Sequence, residues 1–143
     1  MLDENVEFLV VGGFAVAHHG HARATEDIDI WVRRSPENIA KVWRGLLRFR
    51  APLADVTPED FLSPDLVFQI GRPPQRIDLI TEIDGLDFES AWSRRVHNEA
   101  DGRPIPVIGL NDLMANKAAS GRPQDLADLD WFQRMLVRQK KSQ

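Results

Sequence analysis

The stretch "VGGFAVAHHGHARATEDIDIWV", Val11 to Val32, ends in two aspartates one residue apart, and a third aspartate, Asp78, stands between apolar neighbours in "RIDLI". In an extended strand, alternation puts Asp27, Asp29 and Trp31 on one face and Ile28, Ile30 and Val32 on the other. A half-exposed strand with a solvated polar face accounts for this alternation equally well. Aspartate, however, is a poor strand former, and two carboxylates at i and i+2 repel each other. Two oxygen ligands for a divalent cation would leave a strand at this spacing. Asp78 is again the polar member of an alternating segment. If its strand lies beside "DIDIWV", three carboxylates converge. Two ions roughly 3.5–4 Å apart could then clamp the attacking and leaving oxygens of a phosphoryl displacement. Hard oxygen ligands without histidine at ligand spacing point to Mg²⁺ or Mn²⁺ over zinc.

Gly12-Gly13 supplies a second element of that chemistry. The pair matches neither the P-loop nor the dinucleotide fingerprint. Between a strand and a helix it allows close backbone approach, and it leaves N–H groups at a positive helix end that suit phosphate oxygens. His18, His19 and His21 lack the partners of a zinc site and read as solvated or capping residues. Trp31 shares the aspartate face and could wall the site, although a tryptophan covering a core edge is commoner.

The elements that must position these residues follow from periodicity. "VEFLVV" (Val6 to Val11) reads as a buried strand running into the Gly-Gly turn, and "FAVAHHG" as a short helix stopped by Gly20. "SPENIAKVWRGLLRF" carries Ser35 as N-cap and Pro36 in the first turn, with Ile39, Val42, Trp43, Leu46 and Leu47 as its apolar stripe. Thr57-Pro58 begins a short helical turn. "DLVFQI" and "QRIDLIT" form a predicted hairpin across "GRPP". "DFESAWSRRV" reads as a helix. "HNEADGRPIPVI" reads as a hairpin around Asp101-Gly102, confined to an edge by its prolines. Asn111 is the expected cap of "DLMANKAAS", Gly121 ends that helix, and Pro123 starts a last one running to about Val137. Strands interleaved with helices predict an α/β (α+β) domain around a mixed sheet.

The chain has 143 residues, enough for one domain, expected over residues 1–137 with a polar, frayed tail at 138–143. Its formal charge of −4 argues against a general nucleic-acid coat. Without cysteine there are no disulfides, zinc-thiolate sites or thiol nucleophiles, which suits the cytoplasm. The start "MLDENVEFLV" is acidic where a signal peptide would be basic, and no run approaches membrane-spanning length. Asp125 projects onto the same helical side as Leu129, Phe132 and Leu136, so it needs a buried partner, and Lys117 or Arg122 is the nearest cation in sequence. Asp128 is placed on the flank for the same role.

Taken together, Gly12-Gly13, then Arg23-x-Thr25-x-Asp27-x-Asp29, then Asp78, resembles the nucleotidyltransferase fold of the DNA polymerase β superfamily. Within it the chain is most similar to the small bacterial AbiEii-like and minimal nucleotidyltransferase groups. The stretch "LNDLMANKAASGRPQDLADL" also looks like the C-terminal segment of those families, and the resemblance spans about Val6 to Phe132. One departure is Gly13 where many active transferases have serine. The resemblance implies a Mg²⁺-dependent (or Mn²⁺-dependent) transferase that moves a nucleoside monophosphate from an NTP to an acceptor hydroxyl and releases pyrophosphate. Asp27 and Asp29 would hold metal, and Asp78 would ligate one ion and help activate the acceptor. Gly12, Gly13, Arg23, Thr25, Lys117 and Arg122 would lie at the nucleotide, with Asp125 and Asp128 supporting. The acceptor could be an RNA end, a protein or a small molecule, and the acidic net charge disfavours a long nucleic acid. The alternative is a non-catalytic nucleotide-binding or regulatory component of a toxin–antitoxin pair, with a partner protein or a homodimer completing the site.

Overall fold

The computed structural model describes residues 4–22, 27–72 and 75–141. The first strand, β1 (Phe8–Val11), is apolar and buried at every position, as a strand covered on both faces must be. The chain turns at Gly12, at a φ of +67°, directly into α1 (Gly12–His18). Next come β2 (Asp27–Val32), α2 (Pro36–Phe49) and a 3₁₀ turn at Pro58–Leu62. The hairpin β3 (Val67–Arg72) and β4 (Gln75–Ile80) is followed by α3 (Phe88–Ser93) and a second hairpin, β5 (Val96–Ala100) and β6 (Arg103–Val107). Two helices, α4 (Leu110–Ser120) and α5 (Pro123–Lys141), complete the chain. The strands form one mixed sheet in the order β3-β4-β2-β1-β6-β5. This is the α/β architecture that the interleaved periodicities predict.

Two pairings place the site. β1 runs antiparallel to β2 with Val11 opposite Asp29, and β2 runs parallel to β4 with Asp29 opposite Asp78. The expected adjacency of the two acidic strands is therefore present. Beyond the aspartates the same face of β2 becomes core: Trp31 is buried, edge-on to Phe88 of α3 at 5.0 Å. Trp31 is a core residue and does not wall the site.

Ser35 caps α2, accepting a hydrogen bond from the Asn38 amide at 3.2 Å. Asn38 itself is buried and fully used. Its Oδ1 accepts from Glu7 N at 2.7 Å, and its Nδ2 donates to the carbonyls of Glu7 and Arg33 at 3.0 and 2.9 Å. One amide thus ties α2 to the start of β1 and the end of β2, satisfying groups that would be costly to bury unpaired. Ile39, Val42 and Leu46 form the buried line of α2. Leu47 does not belong to it and is 56% exposed. Adjacent helical positions lie 100° apart, so Leu46 and Leu47 cannot both face a narrow contact with the sheet.

Two further expectations are corrected. Asn111 is not the cap of α4; Gly109 is, and no side chain caps that end. A Cβ at Gly109 would lie 2.8 Å from the Arg94 carbonyl oxygen, so close packing against the preceding segment requires glycine at this cap. α5 continues through Lys141, four residues past the expected end, because Arg, Gln and Lys are good helix formers and its last turn is basic. The Asp101-Gly102 hairpin is present, with both residues at positive φ as a two-residue turn requires. The hairpin forms one edge of the sheet, as its prolines predict, with both prolines on its inner strand β6 and β5 outermost. β6 meets β1 only at Val10 and Val107, beyond both prolines, so their missing N–H groups interrupt no pairing there. Among the described residues no helix is long and apolar enough to cross a membrane.

Candidate active site

Strand alternation carries Asp27 and Asp29 onto one face of β2, and Arg76 and Asp78 onto the corresponding face of β4. Parallel register sets Asp29 against Asp78 and Asp27 against Arg76. Arg76 bridges two of the three carboxylates. Its Nη2 lies 3.1 Å from Asp27 Oδ2, and its Nε and Nη2 donate to Asp78 Oδ1 and Oδ2 at 2.9 and 3.3 Å. Asp29 lies between them electrostatically. Burial raises its pKa first, the negative charges of Asp78 and Asp27 raise it further, and Arg76 offsets only part of this. Hydrogen-bonding contact with the Asp78 carboxyl raises it again.

Gly12 is shaped to this cluster. A Cβ at its position would sit 2.1 Å from Asp29 Oδ2, so only glycine lets the carboxylate lie against the backbone at the start of α1. Gly13 follows as a buried residue of the same turn. Arg23 and Thr25 lie outside the described residues.

A second polar cluster joins α4 to α5. Lys117 is 5% exposed, and its Nζ lies 2.9 Å from Asp125 Oδ1 and 3.2 Å from Asp128 Oδ2. Asp125 Oδ2 also accepts from Ser120 Oγ at 2.5 Å and Arg122 Nε at 2.8 Å. Burial alone would raise the Asp125 pKa, but these three donors override it and hold the carboxyl at about 2. Asp128 is fully buried and accepts from Gln124 Nε2 at 3.1 Å, with His21 at 3.8 Å. Asp125 thus pairs with both cations that the sequence offered it, and Asp128 shares Lys117. Lys117 is an internal cation, whereas the Arg122 side chain is 78% exposed. Arg122 also feels the first cluster: Asp125 raises its pKa most, and Asp84 and Asp29 add to the effect.

His19 is the C-cap residue of α1, as the capping reading expects, and His18, His19 and His21 are all partly exposed. His19 Nε2 bonds the Ile108 carbonyl at 2.7 Å, and His21 stacks on Trp131 at 4.2 Å. Arg76 is the site residue that the sequence reading missed. Its signal was available, because it stands two residues before Asp78 and therefore shares its strand face.

The donor set fits a hard divalent cation. It is all oxygen, it comes from neighbouring strands on one face, and a glycine keeps the backbone clear of the central carboxylate. As the side chains stand, no three carboxylates or imidazoles among the described residues are grouped to hold an ion. Asp27 and Asp78 are instead turned to Arg76.

No protein-family model and no curated protein sequence matches the chain. Among solved structures it is similar to the crystal structure of a "putative nucleotidyltransferase" from Thermotoga maritima, at a TM-score of 0.57 and 16% identity. The likeness covers 96% of this chain and 86% of that one. The six-stranded mixed sheet flanked by helices, with its paired acidic strands, is therefore a nucleotidyltransferase-like fold.

Proposed function

We propose that the chain is a divalent-cation-dependent nucleotidyltransferase of the AbiEii-like or minimal group, acting in the cytoplasm. The observation that carries this reading is the in-register pair Asp29 and Asp78, with Asp27 on the same face and Gly12 against Asp29. Asp27, Asp29 and Asp78 would hold Mg²⁺ or Mn²⁺, which neutralises phosphate charge and lowers the pKa of a bound hydroxyl. An acceptor oxygen attacks the α-phosphorus of the NTP, the bond to the β-phosphate breaks, and pyrophosphate leaves. Asp78 assists removal of the acceptor proton. The Gly12-Gly13 backbone admits the phosphates, and Arg122, exposed and within the field of Asp29, neutralises them. Asp125 holds Arg122, and buried Lys117 anchors Asp125. Such a site works mainly by positioning and charge neutralisation.

The second reading, a non-catalytic nucleotide-binding component of a toxin–antitoxin pair, is favoured by one observation: Arg76 already occupies two of the three carboxylates. Incubation with α-labelled NTPs, Mg²⁺ or Mn²⁺ and a cell lysate separates the two. Labelled product that disappears in Asp29→Asn supports transfer. Absence of product, with thermal melts in which NTP and Mg²⁺ together exceed the sum of their separate shifts, supports binding alone. Ligand at a hundredfold excess over its Kd stabilises by about 2.7 kcal/mol, which such melts resolve. Neither product nor synergy removes both readings.

A further inference from the structure

We infer that Arg76 is the resident counter-ion of the carboxylate cluster and competes with the divalent cation for Asp27 and Asp78. This rests on the proposed metal site and adds to it the residue that sets its affinity. The guanidinium makes three contacts with two carboxylates, at 2.9, 3.1 and 3.3 Å. Both strands fix it there, since β2 and β4 place Asp27 opposite Arg76, and Asp78 lies two residues along the same strand.

The charges explain why the chain carries it. Three ionised carboxylates with no cation among them would place a charge of −3 at a partly buried position, where like charges repel more strongly than in water. Arg76 reduces this to −2 and uses oxygens that a metal would need. It cannot be neutralised by losing a proton at physiological pH. An ion that takes the oxygens held by Arg76 must displace it from them. Consistent with this, the described carboxylates and imidazoles form no ready ligand group as they stand. Arg76 therefore lowers the affinity of the empty cluster for a free divalent cation while keeping that cluster folded without one.

The test is titration of Mn²⁺, followed by its free-ion electron paramagnetic resonance signal, into wild type, Arg76→Gln, Arg76→Lys and Asp29→Asn. Binding that is lost in Asp29→Asn is assigned to the cluster. The expected result is Mn²⁺ binding at least about tenfold tighter in Arg76→Gln than in wild type, because one unit of competing charge is removed at contact distance. Arg76→Lys falls between them, since an ammonium cannot bridge both carboxylates with a planar fork. Melting gives a second readout. Arg76→Gln melts lower than wild type without metal, and Mn²⁺ raises its Tm by more than it raises that of wild type. If Arg76→Gln does not fold, Arg76→Lys must still bind Mn²⁺ more tightly than wild type. Equal or weaker binding in whichever variant folds overturns the proposal. If no protein shows Asp29-dependent binding, the metal site itself is refuted, and the counter-ion proposal falls with it.

Discussion

Replacing Gly12 by alanine tests the geometry of the carboxylate cluster most directly. The substitution carries two separable costs. Gly12 lies at a φ of +67°, where an L-residue pays about 1–2 kcal/mol. The added Cβ would also stand 2.1 Å from Asp29 Oδ2, more than an ångström inside ordinary contact. Asp29 must then leave its rotamer, at about 0.5–1.5 kcal/mol, and weaken its bond to Asp78, at about 1 kcal/mol. Gly102→Ala isolates the first cost, because Gly102 has a φ of +76° and nothing within 4 Å of an added Cβ. The unfolded chain stiffens equally in both variants and drops out of the comparison. At about 3 °C per kcal/mol for a domain near this size, Gly102→Ala should lower Tm by about 4–5 °C and Gly12→Ala by about 10 °C. Differential scanning calorimetry in metal-free buffer measures both. Labelled-NTP transfer should fall sharply in Gly12→Ala and stay near wild type in Gly102→Ala. If the two variants lose the same Tm and both retain transfer, Asp29 is not held against Gly12 and the arrangement of the cluster is wrong.

Three other outcomes follow from the charges. Asp29→Asn should melt higher than wild type at pH 7 without metal. The raised pKa of Asp29 means that ionisation costs the folded state, a cost that grows as pH rises from the ordinary aspartate value of 3.8, so the difference should vanish below about pH 4 in pH-dependent melts. Asp125 has the opposite sign: a carboxyl held at about 2 against an ordinary 3.8 contributes about 2 kcal/mol that is fully present above about pH 4 and lost as pH falls through 2. Asp125→Asn should remove that acid-dependent portion in urea titrations between pH 2 and 6, and an unchanged slope would contradict the three-donor network. Lys117→Met should cost about 3–5 kcal/mol by denaturant unfolding, because it leaves Asp125 and Asp128 buried without their shared cation; a loss below 1 kcal/mol would show that the other donors suffice.

Local rules determined a good deal of this protein by themselves. The period of two put Asp27 and Asp29 on one face, Ser35 and Pro36 marked the start of α2, and Gly121 and Pro123 separated α4 from α5. Each of these depends on neighbours within a few residues, where backbone geometry alone decides. Asp125 was likewise readable as a buried carboxylate in need of a cation. The tertiary structure gave Asp125 both cations, and buried Lys117 so that Asp128 shares it while Arg122 stays exposed. It also set Asp29 against Asp78 across two strands some fifty residues apart, and brought Arg76 to Asp27 by the same register. Asn38 gained its three partners only when β1 and β2 converged on the start of α2. The cap of α4 is Gly109 and not the expected Asn111, and the close approach of the Arg94 carbonyl leaves no space for a side chain at that cap. Periodicity specifies the direction in which a side chain leaves its own element; the register between distant strands and the packing between helices specify what it meets.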